Sequence, residues 1–123
     1  MIRWKVVDRN RNSYIIGNTL KRNKYTITYT PGIIKAIPDT LGIFVFRHKR
    51  DALSWIGTKA HKANYMLLLK VNPIGNLKKV PGALPNMITM DLYYKNKENI
   101  NIEYYLSDIP FGTMLYDSVE VLT

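Results

Sequence analysis

The chain has 123 residues, 46% hydrophobic and 22% charged, a composition that suits one globular domain over residues 1–123 and excludes a disordered chain. It contains no cysteine, which excludes disulfides, thiol catalysis and any Cys-based zinc or iron–sulfur site. The net charge is +9 and lopsided: thirteen Lys and Arg face three Asp in residues 1–62, against five bases and six acids in residues 63–123.

Such a positive half attracts anions: nucleic acid, anionic lipid or phosphorylated small molecules. Plain solubility, or a source composition rich in lysine and asparagine, accounts for the same number. No apolar run approaches the roughly 20 residues of a membrane-spanning helix. The opening MIRWKVVDRN alternates and carries charge, unlike a signal or transit peptide. A cytoplasmic protein with no membrane partner is the expectation.

In chain order the pattern reads mostly as strands. Arg3 to Val7 alternates as a first strand, followed by a charged turn over Asp8 to Asn12. Tyr14-Ile15-Ile16 is apolar and stops at Gly17-Asn18. Lys24 to Tyr29 (KYTITY) sets Tyr25, Ile27 and Tyr29 on one face and Thr26 and Thr28 on the other, the strongest strand signal in the chain. After Pro31-Gly32, Ile33 to Ala36 makes a short strand. Leu41 to Phe46 (LGIFVF) is a buried strand by its length and its branched and aromatic content.

The period then changes. In Lys49 to Ile56 (KRDALSWI), Ala52, Leu53 and Ile56 share a helical face, with Trp55 beside it and Gly57 as the expected stop. Tyr65 to Val71 returns as a strand ending at Asn72-Pro73, so residues 41–71 form a strand–helix–strand unit. Residues 73–87 carry three prolines and two glycines and read as loop, with a short strand near Leu77–Val80. Asp91 to Lys97 fits a second short helix or a loop. Residues 100–106 alternate, Pro110-Phe111-Gly112 turns, and Met114 to Leu122 is the last strand. The expected fold class is α+β: an antiparallel or mixed sheet with one main helix.

Catalytic signatures are lacking. The two histidines, His48 and His61, have no metal-ligand spacing, and Asp51 is the nearest acid to either. There is no Gly-x-Ser-x-Gly elbow, no phosphate loop and no dinucleotide fingerprint. The nine acids are scattered, with no basis for a catalytic pair. No catalytic residue, metal or cofactor is expected. What remains is basic residues mixed with aromatics. In residues 21–29, Lys21, Arg22 and Lys24 precede Tyr25 and Tyr29; in residues 47–50, Arg47, Lys49 and Arg50 surround His48 at the helix start. Guanidinium groups hold phosphates through paired donors, and a tyrosine ring offers a face to a base. Nine tyrosines also suit a small β-rich domain with no ligand at all.

Three segments carry a family resemblance. They are YTITYTPGIIKAIPDTLGIFVFRHKRDALSWI (residues 25–56), LLLKVNPIGNLKKVP (residues 67–81) and PFGTMLYDSVEVL (residues 110–122), about half the chain together. In this order they resemble the phage Thoeris anti-defence sponge family, first type. The resemblance implies a protein that sequesters cyclic ADP-ribose isomers without cleaving them. It also implies further cyclic oligonucleotide ligands, pockets between subunits, and a homo-oligomer such as a dimer or hexamer in the cytoplasm of a bacterial host. Residues 82–109 depart most from the pattern. By their chemistry, and by lying in or near these segments, Arg22, Arg47 and Arg50 are expected to hold phosphate. Tyr93, Tyr94 and Tyr116 are expected to stack or to wall the pocket, and Thr113 to donate a hydrogen bond. The competing readings are a basic nucleic-acid-binding module and a phage inhibitor that acts through a protein surface.

Overall fold

The computed structural model describes residues 1–13, 26–38, 40–58, 66–80, 83–85 and 106–123. The strands are β1 (Arg3–Asp8), β2 (Gly32–Lys35), β3 (Ile43–Phe46), β4 (Met66–Ile74), β5 (Ala83–Pro85), β6 (Leu106–Asp108), β7 (Thr113–Tyr116) and β8 (Ser118–Val121). Among the described residues one helix, α1 (Lys49–Gly57), lies between β3 and β4. Six strands form a sheet in the order β2-β8-β4-β1-β3-β7, and β5 pairs with β6 separately. Every described strand pair is antiparallel. The fold is α+β with a single main helix. No helix among the described residues is long and apolar enough to cross a membrane.

The strand order requires a curled sheet. β7 is the last strand and β8 the second, yet Asp117 alone separates them in the chain. Two residues of chain reach at most about 7 Å, whereas four strand spacings in a flat sheet cover about 19 Å. The sheet therefore bends round until its ends meet. Two backbone bonds mark the seam: Lys78 N–H donates to Leu115 O at 2.9 Å, and Ala36 N–H to Asp117 O at 2.7 Å.

The curl creates an inside and an outside. Val7, Ile43, Val45, Leu69, Val71, Tyr116, Val119 and Val121 fill the interior with Tyr29. On the outer face, Val6, Phe46 and Ala52 form a second core with Trp4, Trp55, Ile56, Met66 and Leu68 under α1. Successive strand residues point to opposite faces, so Val6 and Val7 are both buried because β1 is covered on both sides.

Several elements differ from the sequence reading. The run KYTITY makes no ladder over its described part. Thr28 forms an isolated bridge to Asn12, and Thr28 Oγ1 donates to Asn12 Oδ1 at 2.6 Å. Its apolar face still packs as expected, with Tyr29 buried and Ile27 partly so. β4 continues through Pro73 to Ile74. The Leu122 N–H donates to Lys70 O, which makes alternate residues of β4 bond towards β8 and turns the missing Pro73 N–H to the other side. There β1 has already ended, because Arg3 faces Val71. Helix α1 runs through Gly57 and is closed by Thr58, whose hydroxyl donates to Trp55 O at 2.6 Å. The expected last strand breaks at Asp117, since its first half pairs with β3 and its second with β4 and β2. Residues 77–80 contribute one bridge, Lys78 to Leu115. The strand read at Tyr14–Ile16 and the helix or loop at Asp91–Lys97 lie outside the described residues.

Candidate functional site

The corner where β3 runs into α1 gathers the basic segment. β3 ends at Phe46, paired with Thr113 of β7, and Arg47 N–H donates to Gly112 O at 2.8 Å. Residues 47–50 therefore lie against the turn Pro110–Thr113. That turn is closed from within: Thr113 Oγ1 donates to Pro110 O at 2.6 Å, and its N–H donates to the same oxygen at 3.3 Å. Gly112 adopts φ +84°, and a Cβ there would collide with the Asp51 carboxylate. Asp51, in the first turn of α1, is thus turned onto the Gly112 backbone, with Oδ2 buried and without a hydrogen-bond partner among the described residues.

The cations lie around this anchor. Arg47, His48, Lys49 and Arg50 are all exposed, and no described residue pairs with Arg47 or Arg50. His48 is the extended residue before the helix, and no side chain caps it. Phe111, at the tip of the facing turn, is 87% exposed. An exposed ring on this turn and two exposed arginines on the segment packed against it suit a ligand that carries both a base and a phosphate.

The outer face continues the same chemistry. Thr113, Phe46, Trp4 and Lys70 are direct neighbours in a row across β7, β3, β1 and β4. The Lys49 and Lys70 ammonium groups lie 5.3 and 5.8 Å from the centre of the Trp4 ring. Phe46 contacts Trp55 of the helix at 6.0 Å between centroids.

A second polar feature sits inside the sheet. Lys5 shares the inward face with Val7; its ammonium donates to Phe44 O at 2.8 Å and lies 5.0 Å from the Tyr29 ring centre. Burial lowers its pKa to about 7. Burial also raises that of Tyr29, against an opposing hydrogen bond to Ser13. Arg11 Nε donates to the backbone Tyr29 O at 2.7 Å. No acid pairs with Lys5 among the described residues, so its amine is held by one carbonyl and one ring in an apolar interior.

Of the residues expected from sequence, the structure brings Arg47, Arg50 and Thr113 to one corner. Thr113 spends its hydroxyl on the turn. Tyr116 is 5% exposed and belongs to the interior core, so its ring is not open to a surface ligand. Arg22, Tyr93 and Tyr94 lie outside the described residues. Sequence reading missed Phe111, whose Pro-Phe-Gly context signalled only a turn. It also missed Trp4 and Lys70, which meet only through the β1–β4 register. Lys49 was part of the basic run, but its place over Trp4 depends on the helix. No group of three or more His, Asp or Glu that could hold a metal ion occurs among the described residues. No protein-family model, no curated protein and no solved structure matches the chain.

Proposed function

We propose that this protein captures a cyclic nucleotide messenger, of the glycocyclic ADP-ribose or cyclic oligonucleotide type, and holds it intact. The observation that carries the reading is the corner itself: Arg47 and Arg50, exposed and with no ion-pair partner among the described residues, on the segment that lies against the turn bearing the exposed Phe111. The two guanidinium groups face phosphate and the ring stacks on a base. The resemblance to phage Thoeris anti-defence sponges narrows the anion to this class and supports a homo-oligomer, a dimer or hexamer, acting in the host bacterial cytoplasm. A sponge needs affinity without turnover. Each charge-assisted hydrogen bond contributes about 1.5–3 kcal/mol and each stacked base about 1–3 kcal/mol, enough together for tight capture.

The test is retention and release. Purified protein is incubated with cyclic ADP-ribose isomers and cyclic oligonucleotides, separated, and heated. Recovery of unaltered ligand supports capture. Altered ligand points to an enzyme, and retention of long DNA alone, weakening steeply with salt, points to a nucleic-acid module. Arg47→Ala and Arg50→Ala should each weaken ligand binding by about tenfold or more. Phe111→Ala should weaken it by about fivefold to a hundredfold while leaving the melting temperature unchanged, because the ring packs on little else. Calorimetric titration checks all three, and unchanged affinity in Arg47→Ala would remove the corner from consideration. Light scattering reads the oligomer size.

A further inference from the structure

The row across the outer face extends beyond the corner, and its far end repeats the pairing of ring with cation. Trp4 is only partly covered and has an ammonium from each of two directions in sequence, Lys49 from the start of α1 and Lys70 from the neighbouring strand. Two like charges on one indole repel each other, and neither lysine has an acid partner among the described residues. The ring's negative face offsets only part of that repulsion. A bound anion would offset the rest. Three strand spacings, about 14 Å, separate Thr113 at the corner from Lys70.

We propose that Trp4, Lys49 and Lys70 form a second anion subsite on the same face as the Arg47–Arg50 corner, so that the site takes a ligand with two separated phosphate groups. This rests on the nucleotide reading above and makes it more specific. The first phosphate lies at the guanidinium groups by Phe111. The second lies between the two ammonium groups, with a base or ribose against the Trp4 indole. A ligand with one phosphate fills the corner and leaves the lysines unneutralised, so affinity rises with the second group.

Trp4 reports on its own subsite. The chain has two tryptophans, and Trp55→Phe leaves Trp4 as the sole indole while keeping a ring against Phe46. In that background, emission is titrated with cyclic AMP, which has one phosphate, with cyclic di-AMP, which has two, and with a single-stranded oligothymidylate. Cyclic di-AMP should quench Trp4, and Lys49→Gln with Lys70→Gln should weaken it about tenfold, the loss of one charge-assisted contact. Cyclic AMP should bind more weakly and lose less than about twofold in the same double variant. If cyclic di-AMP binds parent and double variant alike, the second subsite is overturned while the corner stands. Equal losses for both probes overturn it too, since the lysines would then serve the first phosphate. If no probe is retained by the parent, both the nucleotide reading and the subsite fall. Tighter, steeply salt-dependent binding of oligothymidylate assigns the face to polymeric nucleic acid instead and overturns both.

Discussion

Lys5→Met should stabilise the protein near neutral pH by a few kcal/mol, and the gain should vanish as the pH approaches 10. The amine lies inside the curled sheet with Leu69 opposite it on β4, one carbonyl as acceptor and the Tyr29 ring beside it. Burial lowers its folded pKa from 10.5 to about 7. Between those values the unfolded chain holds a proton that the folded chain does not, so folding stability rises with pH over this window. Below about 7 both states are charged and the full penalty remains. Tyr29 acts in the opposite sense above its ordinary pKa of 10.0, because burial makes the folded state keep a proton that the unfolded state releases. The contribution of these two groups to stability should therefore be greatest near pH 10. Methionine fills the same volume without charge and forfeits the bond to Phe44 O and the ammonium contact with the Tyr29 ring, about 1 kcal/mol each. Urea unfolding at several pH values checks this: the two curves should converge or cross at the alkaline end. A constant offset from pH 6 to pH 10 would place the ammonium in water instead of the interior.

The second large effect is expected at Gly42. Its φ is +122°, and a Cβ there would stand 2.8 Å from the backbone oxygen of Tyr116 and 3.2 Å from Leu115 Cδ1. That oxygen belongs to β7, which is held to β3 from Ile43–Tyr116 to Phe46–Thr113, so it cannot easily retreat. Gly42→Ala should cost about 3 kcal/mol or more, from backbone strain of about 1–3 kcal/mol with the overlap added. In a domain this size that lowers the melting temperature by about 10 °C or more. Gly32→Ala separates the two causes, since Gly32 has φ +118° but open space around it. It should show strain alone and the smaller loss. Ligand affinity should fall in Gly42→Ala and hold in Gly32→Ala, because β3–β7 pairing sets Arg47 against Gly112. Equal losses of stability in the two variants would show that the Tyr116 carbonyl yields readily.

Local signals in the sequence were sufficient where one element makes its own case. Alternation marked β1, a short apolar run marked β3, the change of period marked α1, and Pro110-Phe111-Gly112 marked its turn. Charge asymmetry marked residues 47–50 as the basic segment. These properties depend on neighbours a few residues apart, and the chain carries them in any conformation. KYTITY shows the limit: its face was right, but it found bridging partners instead of a ladder, because pairing depends on what lies alongside.

By itself, then, the sequence determined an α+β chain with one main helix, a positive half and no thiol chemistry. Tertiary structure decided the rest. It placed β1 between β3 and β4, split the last strand at Asp117 and curled the sheet until Tyr116 was inside and Phe111 outside. It also set Lys70 and Lys49 on Trp4, residues 66 and 45 positions away from it in the chain. The physical reason is that strand register and closure are fixed by burying both faces of β1 at once, a free energy shared among distant segments and visible in none of them alone.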